Sequence, residues 1–386
     1  MALKIVDHPS VADFLSAVTT LADDVRLNLI LGGAVESWLL QHCPEGTFDV
    51  PPLSDSTESK ADAEARVLVT VWQGDDLRLV FVKIGSSQAR LASPSEPRLV
   101  PLSAVPLLPS LVTHLLDLPT FSSTPHLLRT LAGPQSLVLP FLDLWPHAYE
   151  PKPGLEIHAC STRTPPPPAS SALPEGHSIV RLDCHASSRQ DLEAVANLFV
   201  EFTSYAGRRT SLEDALANVR RSAHNAALWV YRAPRRAQAP AAEAATRNAS
   251  AGAVASAAAD QGESVGFPVA FCMTGRPTPR TVAIRAVMVS PLARGRGVGE
   301  RLVSFVTRLH LVEARPVGLY DFSSQVPLDP DDLFDPVSKF GKKDEVCLFV
   351  EVKEAVPRRL YKRVGFTESE DKWGDYSLVG VEKGSW

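Results

Sequence analysis

A chain of 386 residues is long enough for two domains with full cores. Its net charge of −5 and pI near 6.1 argue against a general binder of nucleic acid or anionic membrane, and 45% hydrophobic residues is ordinary for a soluble globular protein. The five cysteines (Cys43, Cys160, Cys184, Cys272, Cys347) are scattered and form no Cys-x-x-Cys pair, so reduced thiols in a cytoplasmic protein are expected, with neither a disulfide frame nor a metal site. The N-terminus carries Lys4, Asp7 and His8 and no long apolar core, unlike a secretory signal. No apolar run approaches the length needed to span a bilayer, and no membrane role is expected.

Taken in chain order, Phe14 to Leu40 is helical in pattern, with Leu21, Val25, Leu29 and Ile30 apolar and a break at Gly32-Gly33. Arg66–Trp72 and Arg78–Ile84 predict a hairpin across Gly74-Asp75-Asp76. Leu107–Leu116 and Thr124–Leu131 predict helices, and Leu137–Phe141 a strand. Ser161 to Gly176 is proline-rich and predicts an extended, semi-rigid linker. Leu192–Phe202 has helical spacing, with Val195, Leu198 and Phe199 on one face, and so does the stretch around Leu212, Leu216 and Val219. Ala227–Tyr231 and Phe267–Cys272 are strand-like. Between them Ala233 to Glu263 is dominated by alanine with no apolar stripe to bury, which predicts an insertion at a hairpin tip.

The stretch from Ala283 to Arg301 carries the strongest signal. Ala, Ile, Val and Met interrupted only by Arg285 predict a strand buried on both faces. A Ser-Pro stop and Arg294-Gly295-Arg296-Gly297-Val298-Gly299 follow, leading into a helical pattern of Val298, Leu302, Phe305, Val306 and Leu309. Alternating glycines permit a tight turn and close backbone approach. A helix start beyond such a turn aims several unpaired N–H groups and the positive dipole end at one point, and Arg294 and Arg296 add full charges. This is a cradle for a pyrophosphate. A basic surface turn or an Arg/Gly nucleic-acid contact is the alternative, which the flanking strand and helix disfavour. Glu300 occupies the place where a dinucleotide fingerprint needs its third glycine, and no Gly-Lys-Ser/Thr ending is present.

Further on, Asp329–Asp344 predicts a polar insertion, Cys347–Val352 a strand, Val356–Tyr361 a helix stopped at Gly365-Phe366, and Tyr376–Val381 a last strand. There is no Gly-x-Ser-x-Gly elbow or His-Glu-x-x-His, and His177 and His185 lack metal-like spacing.

Arg294-x-x-Gly297-x-Gly299 directly after Val289-Ser290-Pro291 resembles the coenzyme A loop of the GNAT superfamily of acetyl-CoA-dependent N-acyltransferases. Thr278-Pro279-Arg280 and Leu360-Tyr361-x-x-x-Gly365-Phe366 look like those of GNATs that carry a degenerate GNAT-like N-terminal half. Phe14-Leu15, Leu21, Asp24 and Asn28-Leu29-Ile30-Leu31-Gly32 match the opening helix of that group. The resemblance implies an α/β fold of two GNAT-like halves, each a mixed central sheet flanked by helices. Residues 1–160 are then a degenerate half without a coenzyme loop, 161–176 a linker, and 177–386 the catalytic half with insertions at 233–263 and 315–345. The first half is expected to pack against the second, extending a sheet or walling the acceptor pocket.

The resemblance also implies a mechanism, direct attack of a neutral amine on the thioester of acetyl-CoA, with no metal. The backbone of Val287, Met288 and Val289 is expected to face the pantetheine arm, and one N–H there to polarise the thioester carbonyl. The N–H groups of Gly295, Arg296, Gly297, Val298 and Gly299 are expected to take the pyrophosphate beside Arg294. Tyr361 matches the family tyrosine that protonates the departing thiolate. Family members often carry Asn where this chain has Glu354 and Arg358. Arg358 is kept as a phosphate contact, and the Asn role is not carried over. Glu351 is the first choice for a general base and Glu201 the second. The expected reaction is acetyl transfer to a primary amine of a small molecule. The alternatives are a protein or peptide acceptor, a catalytically weak acyl-CoA-binding scaffold, and an aminoacyl-tRNA-dependent transferase, the last disfavoured by the acidic pI and the intact loop.

Overall fold

Alternating, β-branched residues build the first strands. In a computed structural model, β1 (Leu3–Asp7), β2 (Arg66–Gln73) and β3 (Asp76–Ile84) form an antiparallel meander, with β2 and β3 joined across Gly74 at φ +65° as the sequence predicts. The structure describes residues 2–10, 13, 14, 17, 18, 28, 30, 66–85, 87–94, 100–167, 173–182, 187–205, 209–224, 227–234, 266–276, 280–312 and 343–383. Most of the predicted helix Phe14–Leu40 and nearly all of both predicted insertions lie outside these residues.

The chain forms two compact units, Met1–Pro168 with Thr274–Arg285 and Val303–Trp386, and Ala169–Met273 with Ala286–Leu302. In the first unit β3 pairs with β4 (Ala89–Ala92), which runs parallel to β5 (Thr130–Pro134). Strand β12 (Thr367–Ser377) is antiparallel to both β5 and β6 (Leu155–Thr162). Strand β6 pairs in turn with β11 (Glu345–Glu351), which is parallel to β10 (Thr281–Val289) over Thr281–Ile284. A mixed sheet thus carries strands from the beginning and the end of the chain side by side. Helices α1 (Val100–Ser103), α2 (Leu108–Asp117), α3 (Pro119–Ser122) and α4 (Gln135–Leu144) pack on it. Residues 100–117 are long and apolar enough on average to cross a membrane, although they are not an uninterrupted apolar run. They break at the 3-10 turn Val105–Leu107 and bury Leu108, Leu111, Val112 and Leu115, each burial worth roughly 1.5–3 kcal/mol.

Three local expectations are corrected. Thr124–Leu131 is not a helix. Pro125–Leu128 makes a 3-10 turn, Arg129 reverses the chain at φ 54°, and Thr130 opens the fully buried β5. Gly133 is required there, since a Cβ would lie 2.2 Å from the Leu91 carbonyl oxygen. Leu137–Phe141 lies in helix α4, burying Leu137, Val138, Phe141 and Leu142 at helical spacing, because a short apolar run does not distinguish strand from helix. The last strand is β12, nine residues earlier at its start than Tyr376–Val381, and Gly380 at φ +71° turns the chain after it. Its opening Thr-Glu-Ser-Glu-Asp-Lys is polar and pairs on one edge, with β6, whereas from Trp373 to Asp375 the strand is paired on both edges, so pairing with distant strands rather than side-chain alternation specifies it.

Asn28 ties the predicted opening helix to the start of β10. It is buried and its Nδ2 donates to Thr281 Oγ1 at 2.8 Å and to the Arg276 carbonyl at 3.1 Å.

The second unit pairs β7 (Ser178–Arg181), β8 (Leu228–Ala233) and β9 (Phe267–Gly275) antiparallel, with the C-terminal part of β10 next to β9. Ser188 and Ser211 cap α5 (Arg189–Tyr205) and α6 (Leu212–His224). Each hydroxyl bonds the carboxylate and takes the N–H of the aspartate three residues on, Asp191 and Asp214. The two helices bury Leu192, Val195, Ala215 and Val219 against Val230, Phe271 and Met288. Residues 235–265, between the paired strands β8 and β9, lie outside the described chain.

Candidate functional site: the glycine loop after β10

Strand β10 is buried on both faces only over Thr281–Ile284. From Arg285 it alternates, with Ala286 and Met288 buried and Val287 and Val289 half-buried. The Ser290 N–H donates to the Val269 carbonyl at 2.8 Å, fixing the end of β10 to β9. Pro291–Ala293 then makes one 3-10 turn, closed by Ala293 N–H to the Ser290 carbonyl, and α7 (Val298–Val312) begins after Arg294–Gly297. Val298, Leu302, Val306 and Leu309 of α7 are buried as predicted, whereas Phe305 is 36% exposed.

Gly295 and Gly297 sit at φ +74° and +72°. A Cβ on Gly295 would meet nothing within 4 Å, and one on Gly297 only Arg301 Nε at 3.9 Å. Backbone conformation, and not crowding within the protein, is therefore what demands glycine at both places. Left-handed residues alternating with others turn successive N–H groups to one side, an anion-binding nest. Among the described residues the N–H groups of Gly295, Arg296, Gly297, Val298 and Gly299 have no acceptor outside the helix, and the first N–H groups of α7 have none within it. Arg294, Gly295, Arg296 and Gly297 are exposed.

Arg294 is held in place. Its Nε donates to the Val289 carbonyl at 3.1 Å, its Nη2 to the Tyr205 hydroxyl at 3.1 Å, and its Cζ lies 5.1 Å from the centroid of the Tyr205 ring. The Tyr205 hydroxyl donates to Glu201 Oε1 at 3.2 Å, one turn back on α5. The sequence reading missed Tyr205. Its four-residue spacing from Glu201 is visible in the chain, but its contact with Arg294 spans 89 positions.

The remaining predicted residues lie in the first unit. Tyr361 is half-buried on α8 (Ala355–Val364), its ring edge-on to Phe366 with centroids 6.0 Å apart. Gly365 at φ +103° ends the helix and lets the Phe366 N–H reach the Tyr361 carbonyl at 3.0 Å. Glu351 closes β11 and binds Lys353 at 2.7 Å. Arg358 is committed elsewhere. It makes a two-pronged bond to Glu368, 2.7 and 2.8 Å, and donates Nη1 to the Val352 carbonyl at 3.0 Å. The guanidinium holds the Glu368 carboxyl below its ordinary pKa. Cys160, Cys272 and Cys347 are free and buried, and burial pushes Cys160 up to about 12 and the other two higher still, so none presents a thiolate nucleophile at neutral pH. No metal-binding cluster occurs among the described residues.

Residues 219–313, which hold β8, β9, β10, the loop and α7, match the acetyltransferase (GNAT) family. The chain carries a GNAT segment. The glycine loop lies near the C-terminal end of this GNAT segment, whereas Glu351, Arg358 and Tyr361 follow it. A GCN5-related N-acetyltransferase from Sphaerobacter thermophilus is similar at 15% identity and a TM-score of 0.45, with 100% of this chain and 98% of that chain covered. A tandem GNAT protein from the clavulanic acid biosynthesis pathway is similar at 12% identity and a TM-score of 0.43, covering 99% and 100%. An aminoglycoside N-acetyltransferase in complex with CoA is similar at 13% identity and a TM-score of 0.28, covering 52% of this chain and 94% of that chain. No curated protein matches the sequence.

Proposed function

We propose that this chain transfers an acetyl group from acetyl-CoA to the primary amine of a small molecule. The observation that carries the reading is the loop itself. Two left-handed glycines present a run of unpaired N–H groups at the start of α7, within the segment that matches an acetyltransferase family.

Acetyl-CoA supplies the activated acyl group; the chain holds it and manages the charges. The N–H groups from Gly295 to Gly299 and the Arg294 side chain take the pyrophosphate, with Arg296 adding charge from the exposed rim. The backbone of Val287, Met288 and Val289 orients the pantetheine arm, and an N–H of this strand stabilises negative charge as it develops on the thioester oxygen. Tyr361 donates its hydroxyl proton to the leaving thiolate. Glu351 takes the proton lost by the amine, which requires it to exchange its bond to Lys353 for one to the amine. Arg358 stays with Glu368 and leaves the phosphates to the loop.

Incubating the full chain with acetyl-CoA and separate panels of small amines and lysine-containing peptides, with free-thiol release as the readout, tests the proposal. Turnover on small amines supports it. Turnover confined to peptides moves the acceptor to that class, and CoA binding without turnover on either panel leaves an acyl-CoA-binding scaffold.

A further inference from the structure

The loop arginine does not stand alone, and one of its two anchors comes from a helix that holds no part of the family's loop motif. A guanidinium has five N–H donors in one plane. In Arg294 the Nε–H is spent on the Val289 carbonyl and one Nη2–H on the Tyr205 hydroxyl. Those two anchors lie on different elements, β10 and α5, and together they fix the plane of the group. The Tyr205 ring lies against it at 5.1 Å, and the Tyr205 hydroxyl is itself oriented, because its proton goes to Glu201 and its lone pair faces Arg294. The remaining N–H groups of Arg294, with no partner among the described residues, are left to an anion on the exposed side of the loop.

A long exposed arginine otherwise loses about 2 kcal/mol of rotamer freedom when it binds a ligand. Here that freedom is already restricted in the free protein, and pre-organisation of this kind raises affinity without adding a contact to the ligand. Tyr205 is 63% exposed and contributes little to the core, so its position is better explained by what it holds than by what it buries. We propose that Tyr205, oriented by Glu201, is a positioning residue that pre-organises Arg294 for the pyrophosphate of coenzyme A. This rests on the reading of the loop as a coenzyme cradle. It assigns a role in that cradle to the last turn of α5, 89 positions before Arg294 in the chain.

The test is a double-mutant cycle on the full chain, read by calorimetric titration with CoA, with thermal melts to confirm folding. Tyr205→Ala should weaken CoA binding about tenfold, and Tyr205→Phe, which keeps the ring and loses the hydroxyl, about two- to threefold. With Arg294→Ala already in place, Tyr205→Ala should change affinity by less than about twofold, because its effect passes through the arginine. Glu193→Gln, on the same helix and paired with Arg189, should leave CoA affinity unchanged. Equal losses from Tyr205→Ala in both backgrounds, or no loss in either, overturn the positioning role while leaving the cradle intact. A folded wild-type chain that binds no CoA overturns the cradle reading, and this proposal with it.

Discussion

Two strand-to-helix junctions in this chain invite the same use and are built for different ones. After β10 the chain turns through Gly295 and Gly297 at positive φ, and α7 starts with N–H groups open to an anion. After β11 it turns through Lys353 and Glu354, with no glycine, and Glu354 stands at the cap of α8. Its carboxylate makes no cap hydrogen bond but places negative charge beside the positive end of the helix, so an anionic ligand has less to gain. The arginines follow the same division. Arg294 is anchored through two of its donors and keeps the others, whereas Arg358 gives both prongs to Glu368 and its remaining nitrogen to the Val352 carbonyl. Topology alone does not make a phosphate site; backbone conformation and the local balance of charge decide which junction becomes one.

The most severe way to break this contrast is Gly297→Val. A β-branched side chain at φ +72° costs about 1–2 kcal/mol of backbone strain or forces the turn to rearrange. Because the loop is exposed, the fold should survive while CoA affinity falls by about two orders of magnitude. Unchanged affinity by calorimetry would mean that the nest is not the binding surface. Next in size is Tyr361→Phe, which gives the second junction its proposed chemical task. It keeps the edge-on packing with Phe366 and removes only the hydroxyl, so kcat should fall about 10²-fold with coenzyme affinity little changed. Full activity would return Tyr361 to a packing role.

The arginines can be compared directly. Arg294→Ala should weaken CoA binding about tenfold or more, the worth of a charge-assisted hydrogen bond, and Arg358→Ala by less than about twofold. Equal effects in a binding assay would erase the distinction between the junctions. The smallest effect is one of pH. Arg358 holds the Glu368 carboxyl below its ordinary pKa, so the pair's contribution is complete above the ordinary carboxylate range and is lost as pH falls through the lowered value. Both side chains are about one-third exposed, and solvent screening keeps the pair's contribution small. Arg358→Ala should therefore be slightly less stable than wild type at pH 7 in denaturant melts, and the gap should narrow as pH falls below the ordinary carboxylate range. A gap that does not change with pH would assign the loss to packing.

The glycine loop was legible because its signal is local. Glycines every second residue between an apolar run and a helical pattern state both the turn and its purpose. The helices α5 and α6 were legible from apolar spacing for the same reason. The sequence reading has no counterpart for β6, and it placed the last strand at Tyr376–Val381 and not at β12, because both strands take their definition from neighbours far along the chain. Glu368 pairs with Cys160 and Ser377 with Thr130, and the polar opening of β12 gives no period-two alternation of its own. The assignments of Leu137–Phe141 and Thr124–Leu131 failed for another reason. Short apolar runs carry no periodicity long enough to decide, and the reversal at Arg129 is a tertiary compromise that no propensity announces. Within the site, Arg294 and the glycines could be read from the motif, whereas the pairing of Arg358 with Glu368 and the support from Tyr205 could not, since each joins residues from separate elements.

Calorimetric titration of the intact wild-type chain with CoA tests the central claim most directly. A coenzyme cradle after β10 predicts saturable binding of one CoA per chain, with affinity that weakens as salt rises, since the loop meets the phosphates with arginine and backbone N–H groups. A folded chain that gives no binding heat at any CoA concentration, and no shift in melting temperature, would contradict it.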